Sequence, residues 1–145
     1  MFFKSQFKLL TVLIVTFIVS NSVLAHDVKS RDLLVEKMTQ SSKSWNKNTL
    51  PAYPKGQPEV TILRITIAPH TKLDWHKHPV INAAVLLKGQ LDVHTEDKKT
   101  QHLVAGDTLI EVVNTWHYGI NNGDEAAELI VFYAGIKGSP LTIKK

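Results

Sequence analysis

The sequence predicts an all-β fold, a barrel or sandwich of short strands. This rests on three features: short apolar runs rich in β-branched residues recur between residues 60 and 133, Gly, Pro, Asn and Asp separate them, and no stretch carries the spacing of an amphipathic helix. At 145 residues and 43% hydrophobic side chains, the chain has material for one core and not for two.

Taken in order, residues 1–25 read as a secretory signal peptide. Lys4 and Lys8 make a cationic start, an apolar run fills 9–19, and Val23-Leu24-Ala25 offers a cleavage point after Ala25. The run is shorter than the roughly 20 residues of a permanent span, so export to the periplasm or the medium is expected, without a permanent membrane anchor. Residues 26–58 form a polar, loop-rich lead-in with prolines at 51, 54 and 58. Leu33-Leu34-Val35 reads as a short strand there, and Trp45 and Tyr53 as aromatics that cover a barrel opening.

The barrel domain is expected over 59–145. Residues 60–67 are rich in β-branched residues, largely alternate at period two and end at the turn Ala68-Pro69-His70. Further strands are predicted at 82–87, 91–95, 101–104, 108–113, 117–121 and 128–133, with Glu96-Asp97-Lys98-Lys99 as a solvent-facing hairpin turn.

Charge and cysteine usage exclude several function classes. The chain carries 17 basic and 13 acidic side chains, and loss of Lys4 and Lys8 with the signal peptide lowers the net charge from +4 to +2. No basic stripe remains to follow a phosphate backbone, so nucleic acid is not an expected partner. Without cysteine there is no disulfide, no thiolate catalysis and no thiolate metal ligation.

Chemistry first appears at Trp75-His76-Lys77-His78-Pro79. On a strand, His76 and His78 point to one face, joined by Asn82 if the extended geometry continues, and two imidazoles on one face can chelate a metal. The pair does not stand alone. His76-Lys77-His78, then Asn82, then Gly89 follows the first motif of the cupin superfamily, and Gly106-Asp107, His117 and Asn121 follow its second, so the chain resembles small single-domain cupins over most of 60–134.

That resemblance implies a double-stranded β-helix, or jelly-roll barrel, holding one divalent transition metal (Fe, Mn, Zn, Ni or Cu) through His76, His78 and His117. Three positions depart from the family: Asn82 stands where it has a glutamate ligand, Val112 where it has proline and Asn114 where it has glycine. Asn tolerates the left-handed turn conformation, so Asn114 is mild. Asn82 is not, because a neutral amide oxygen is a poorer donor than a carboxylate.

Glu111 interrupts an apolar strand where the family has an apolar residue. Pointing inward, it would be a replacement ligand or a catalytic base; pointing outward, a surface or interface charge. Asn121 lies four residues past His117 and is placed behind the site, orienting a ligand or water. Trp75, Trp116 and Tyr118 neighbour the ligands and are expected to face away, into core. His94 and His102 flank the charged hairpin and are expected exposed, His70 sits in a turn, and His26 is set aside.

The resemblance implies dioxygenases, or isomerases and decarboxylases that use the metal as a Lewis acid. An exported metalloenzyme acting on a small organic molecule, dioxygenase-like, is the first expectation, and a non-catalytic metal- or ligand-binding protein the alternative. A homodimer paired through edge strands is expected from the resemblance.

Overall fold

Among the described residues all regular structure is β. The strands are β1 (Pro58–Ile67), β2 (Thr71–Lys72), β3 (His76–Lys77), β4 (Ile81–Lys88), β5 (Gln90–Thr95), β6 (Thr100–Val104), β7 (Thr108–Ile110), β8 (His117–Asn121), β9 (Ala127–Ile136) and β10 (Ile143–Lys144). The computed structural model describes residues 33–145, of which Glu36–Lys145 form one compact unit. The expected signal peptide, its cleavage point and His26 lie outside the described residues. No described helix is long and apolar enough to cross a membrane.

One sheet runs β1-β9-β4-β7 and the other β10-β3-β8-β5-β6, with β2 added on β8. Every strand pair is antiparallel. This is the jelly-roll arrangement of a double-stranded β-helix, and period-two alternation decides what it encloses. Asn82, Ala84 and Leu86 of β4 and Leu129, Val131 and Tyr133 of β9 are buried, while their neighbours in sequence are less so. Leu86 and Leu103 are each 1% exposed, and burial of a leucine is worth about 1.5–3 kcal/mol.

Two turns hold the ends of β4 and β7 in place. Gly89 has φ +74°, and a Cβ there would lie 2.7 Å from the Ala126 carbonyl oxygen, so only glycine fits. Asn114 takes φ +54°, the left-handed conformation expected at the family's glycine position.

The structure corrects several expectations. Leu33-Leu34-Val35 form no strand and are exposed, for nothing among the described residues pairs with their backbone. Tyr53 is 76% exposed and covers nothing, whereas Trp45 packs against the core. The strand expected at 108–113 ends at Ile110: Glu111 N–H still donates to the Asn82 carbonyl on β4, and the chain then turns to His78, which bridges to Val113 and accepts from Asn114 N–H. Trp75, Trp116 and Tyr118 do point away from the cavity, but they are half-buried on the outer surface rather than core. There Trp75 meets Tyr118 edge-on at 4.7 Å, and Lys72 and Lys77 lie over Tyr118 and Trp116. The short β2 and β10 were not foreseen.

Candidate metal centre

Register places the histidines. His76 on β3 stands directly opposite His117 on β8, and His78 follows two residues on, so the three rings face one another at centroid distances of 4.4–5.0 Å. One nitrogen from each lies within 4.8 Å of the others.

Backbone carbonyls decide which nitrogen that is. The Nδ1 of His76 contacts Asp74 O at 2.7 Å, that of His78 contacts Leu141 O at 2.8 Å, and that of His117 contacts Thr115 O at 2.8 Å. A carbonyl only accepts, so each Nδ1 carries the proton and each Nε2 keeps its lone pair. His117 Nε2 is buried with no hydrogen-bond partner. Burial lowers His78 and His117 from 6.5 to about 4, so both rings are neutral bases at physiological pH. An orphaned lone pair beside two neutral imidazoles, with all three rings oriented from behind, fits a divalent transition metal.

Glu111 faces inward, 6% exposed. Its Oε1 accepts from Trp45 Nε1–H and from Val112 N–H, both at 2.8 Å, and its Oε2 lies 3.8 Å from His117 Nε2. Burial pushes its carboxyl up. At that distance, and with burial driving both groups toward neutrality, the contact is neither a hydrogen bond nor an ion pair. Asn82 is 3% exposed, lines the same cavity, and has an Nδ2 without a partner. Tyr133 lines it too, its ring 5.4 Å from that of His78, its hydroxyl pushed up first by burial and then by Glu111.

The cavity holds about 250 Å³ between the two sheets, at or below the small end of ligand pockets. Beyond the polar residues its wall is apolar, with Ile65, Leu91, Val93 and Leu129 among its members, and Asp74, Thr142 and Lys144 also border it.

Asn121 does not belong to this cavity. Fully buried, it donates from Nδ2 to the carbonyls of Ile67, Ala68 and Glu125 and accepts from Gly123 N–H, so its amide is saturated by backbone and staples the turn after β1. His102 pairs with Asp92, His70 with Asp124, and His94 is half-buried on Tyr118 at 5.0 Å; none approaches the centre. Sequence reading missed Trp45 as a partner of Glu111 and the Leu141 carbonyl behind His78. A lone indole in a polar lead-in was a signal for the first; a backbone carbonyl leaves none.

A family model described as a cupin domain matches residues 63–133. No curated protein matches the sequence. Among solved structures, a conserved protein with a double-stranded β-helix domain from Klebsiella pneumoniae is 18% identical, at TM-score 0.52 over 81% of this chain and 93% of that one. DMSP lyase DddQ from Ruegeria pomeroyi is 15% identical, at TM-score 0.53 over 59% and 43%. The formate complex of oxalate decarboxylase from Lactobacillus farciminis is 20% identical, at TM-score 0.51 over 59% and 26%. The chain thus spans less than half the length of either enzyme, and the likeness at these identities is one of fold.

Proposed function

We propose, from the premise that this chain belongs to the cupin superfamily, that it is a metal-dependent enzyme acting on a small organic molecule outside the cytoplasm, by oxygenase-like chemistry. The observation that carries this reading is the convergence of three Nε2 lone pairs, each fixed by an Nδ1 contact to a backbone carbonyl, on one wall of an otherwise apolar cavity. A divalent transition metal held by His76, His78 and His117 would supply Lewis-acid polarisation of a substrate oxygen and, if redox-active, a path for electrons to dioxygen.

The chain's own residues do the rest. Asn82 Nδ2, a buried donor with no partner, donates to a substrate oxygen and so orients it. Tyr133 keeps its phenolic proton and offers a second donor. The apolar wall holds the carbon body and excludes water, which strengthens both hydrogen bonds. The occupant is therefore small, apolar along most of its length and oxygen-bearing at one end.

Elemental analysis of the mature protein tests the centre: about one metal per chain is expected, and His76→Ala/His117→Ala should lose it. Retention of metal by that variant would sink the assignment. Oxygen uptake by iron-loaded protein across diketones, phenols, thiols and hydroxy acids tests the chemistry. A second reading, a non-catalytic carrier of a metal or small ligand, is favoured by Asn82, whose neutral amide replaces the family's glutamate. Tight ligand binding without uptake selects the carrier.

A further inference from the structure

We propose that Glu111 completes the metal centre as its carboxylate ligand, delivered from the end of β7 instead of from Asn82 on β4, and that the Trp45 indole positions it; this rests on the metal-dependent reading above.

The two oxygens of Glu111 are treated differently. Oε1 is held by Trp45 Nε1–H and Val112 N–H, which leaves Oε2 as the oxygen facing His117 Nε2 at 3.8 Å. Two donors bound to one ion at about 2.1 Å stand roughly 3–3.5 Å apart. The observed separation is thus close to that of neighbouring ligands and too long for a hydrogen bond. His117 Nε2 itself has no partner, so the free carboxylate oxygen lies beside an unfilled lone pair of the histidine cluster, although Glu111 lies outside the group of three whose ligand atoms are all within 4.8 Å of one another.

Charge points the same way. Among the described residues, no Lys or Arg pairs with Glu111, and His117 is the only basic side chain within 4 Å of it. A buried carboxylate without a compensating cation is costly, and a divalent ion on the histidines is the compensation the site offers. Asn82, which lines the same cavity, cannot serve equally: its amide oxygen is neutral, a poorer donor than a carboxylate, and brings no charge to balance the ion.

The lead-in is built to hold this arrangement. Ser44 Oγ–H and Asn48 N–H both donate to Asn46 Oδ1, and Lys47 N–H donates to the Ser44 carbonyl, closing a rigid turn around Trp45. Trp45 N–H then donates to Ile110 O at 2.9 Å, the residue before Glu111. Backbone and indole bracket the carboxylate, so a residue outside the cupin motifs becomes a positioning residue of the centre.

The test measures zinc affinity by chelator competition, and the visible spectrum of the cobalt(II)-loaded protein, for the wild type, Glu111→Gln, Trp45→Phe and Asn82→Ala. Glu111→Gln should weaken zinc binding by about 100-fold and change the cobalt spectrum, its fold being preserved because the Gln oxygen still accepts from Trp45 and Val112. Trp45→Phe keeps the packing and loses the donor, and should weaken binding about 10-fold. Asn82→Ala should leave both readouts unchanged. Wild-type affinity and spectrum in Glu111→Gln, or their loss in Asn82→Ala, would overturn the proposal while the three-histidine centre stands. A wild-type protein that binds neither metal would remove the centre itself.

Discussion

Acid is the sharpest probe of the metal-free centre. His78 and His117 protonate near 6.5 in the unfolded chain and near 4 in the folded one, because burial disfavours the imidazolium. Between these limits the unfolded state binds two protons that the folded state refuses, so stability falls as pH falls, and these two groups impose no penalty above 6.5. Each unmatched proton is worth about 1.4 kcal/mol per pH unit. Glu111 acts in the opposite sense: burial raises its carboxyl above 4.5, so above that pH the folded state keeps a proton the unfolded state has lost. The two histidines alone would cost about 5 kcal/mol on acidification from pH 6.5 to 4.5, and Glu111 offsets part of that loss. Urea titrations of chelator-treated protein at pH 7, 6, 5 and 4.5 measure it. Glu111→Gln removes the opposing group and should bring the loss to about 5 kcal/mol. Stability that stays flat or rises as pH falls from 6.5 would refute the buried, neutral-imidazole picture of the centre.

Three variants probe the scaffold. Gly89→Ala forces a side chain into φ +74° with its Cβ 2.7 Å from the Ala126 carbonyl oxygen, and a loss of about 2–3 kcal/mol is expected in chemical denaturation. Asn121→Ala leaves the carbonyls of Ile67, Ala68 and Glu125 without their common donor. It should cost on the order of 3 kcal/mol of stability and leave zinc affinity unaltered, where a role behind the metal would weaken it. Ile62 and Phe132 are cross-strand partners, 58% and 45% exposed, beside the free edge of β1. If the expected homodimer uses this face, Ile62→Lys/Phe132→Lys should sediment as a folded monomer while the wild type sediments as a dimer, and equal sedimentation of the two removes the face from consideration.

The strands and the histidines were legible because each is a local signal. Residues 60–67 are rich in β-branched residues and largely alternate, and His76 and His78 share a face by simple spacing. The inward direction of Glu111 was within reach as well, for Leu109 of β7 is buried and, where the extended chain continues, two residues on is the same face. What blocked it was the departure of the chain from β4 after Glu111, which buries Glu111 and Val112 together and defeats alternation just where the motif needed reading. Asn121 failed for the opposite reason: spacing from His117 suggested a shared face, but its amide is consumed by carbonyls 53 and 54 residues earlier.

The parts that stayed hidden share a physical character. The tautomer of His78 is set by the Leu141 carbonyl, 63 residues away, and the free oxygen of Glu111 by an indole 66 residues earlier. Neither partner is marked by its residue type, since any residue supplies a carbonyl and an aromatic in a lead-in usually only packs. A motif therefore identifies which side chains meet, and the electronic state in which they meet is decided by distant contacts that only the closed barrel creates. This is why the three histidines follow from the sequence while the orientation of their lone pairs, on which metal binding depends, does not.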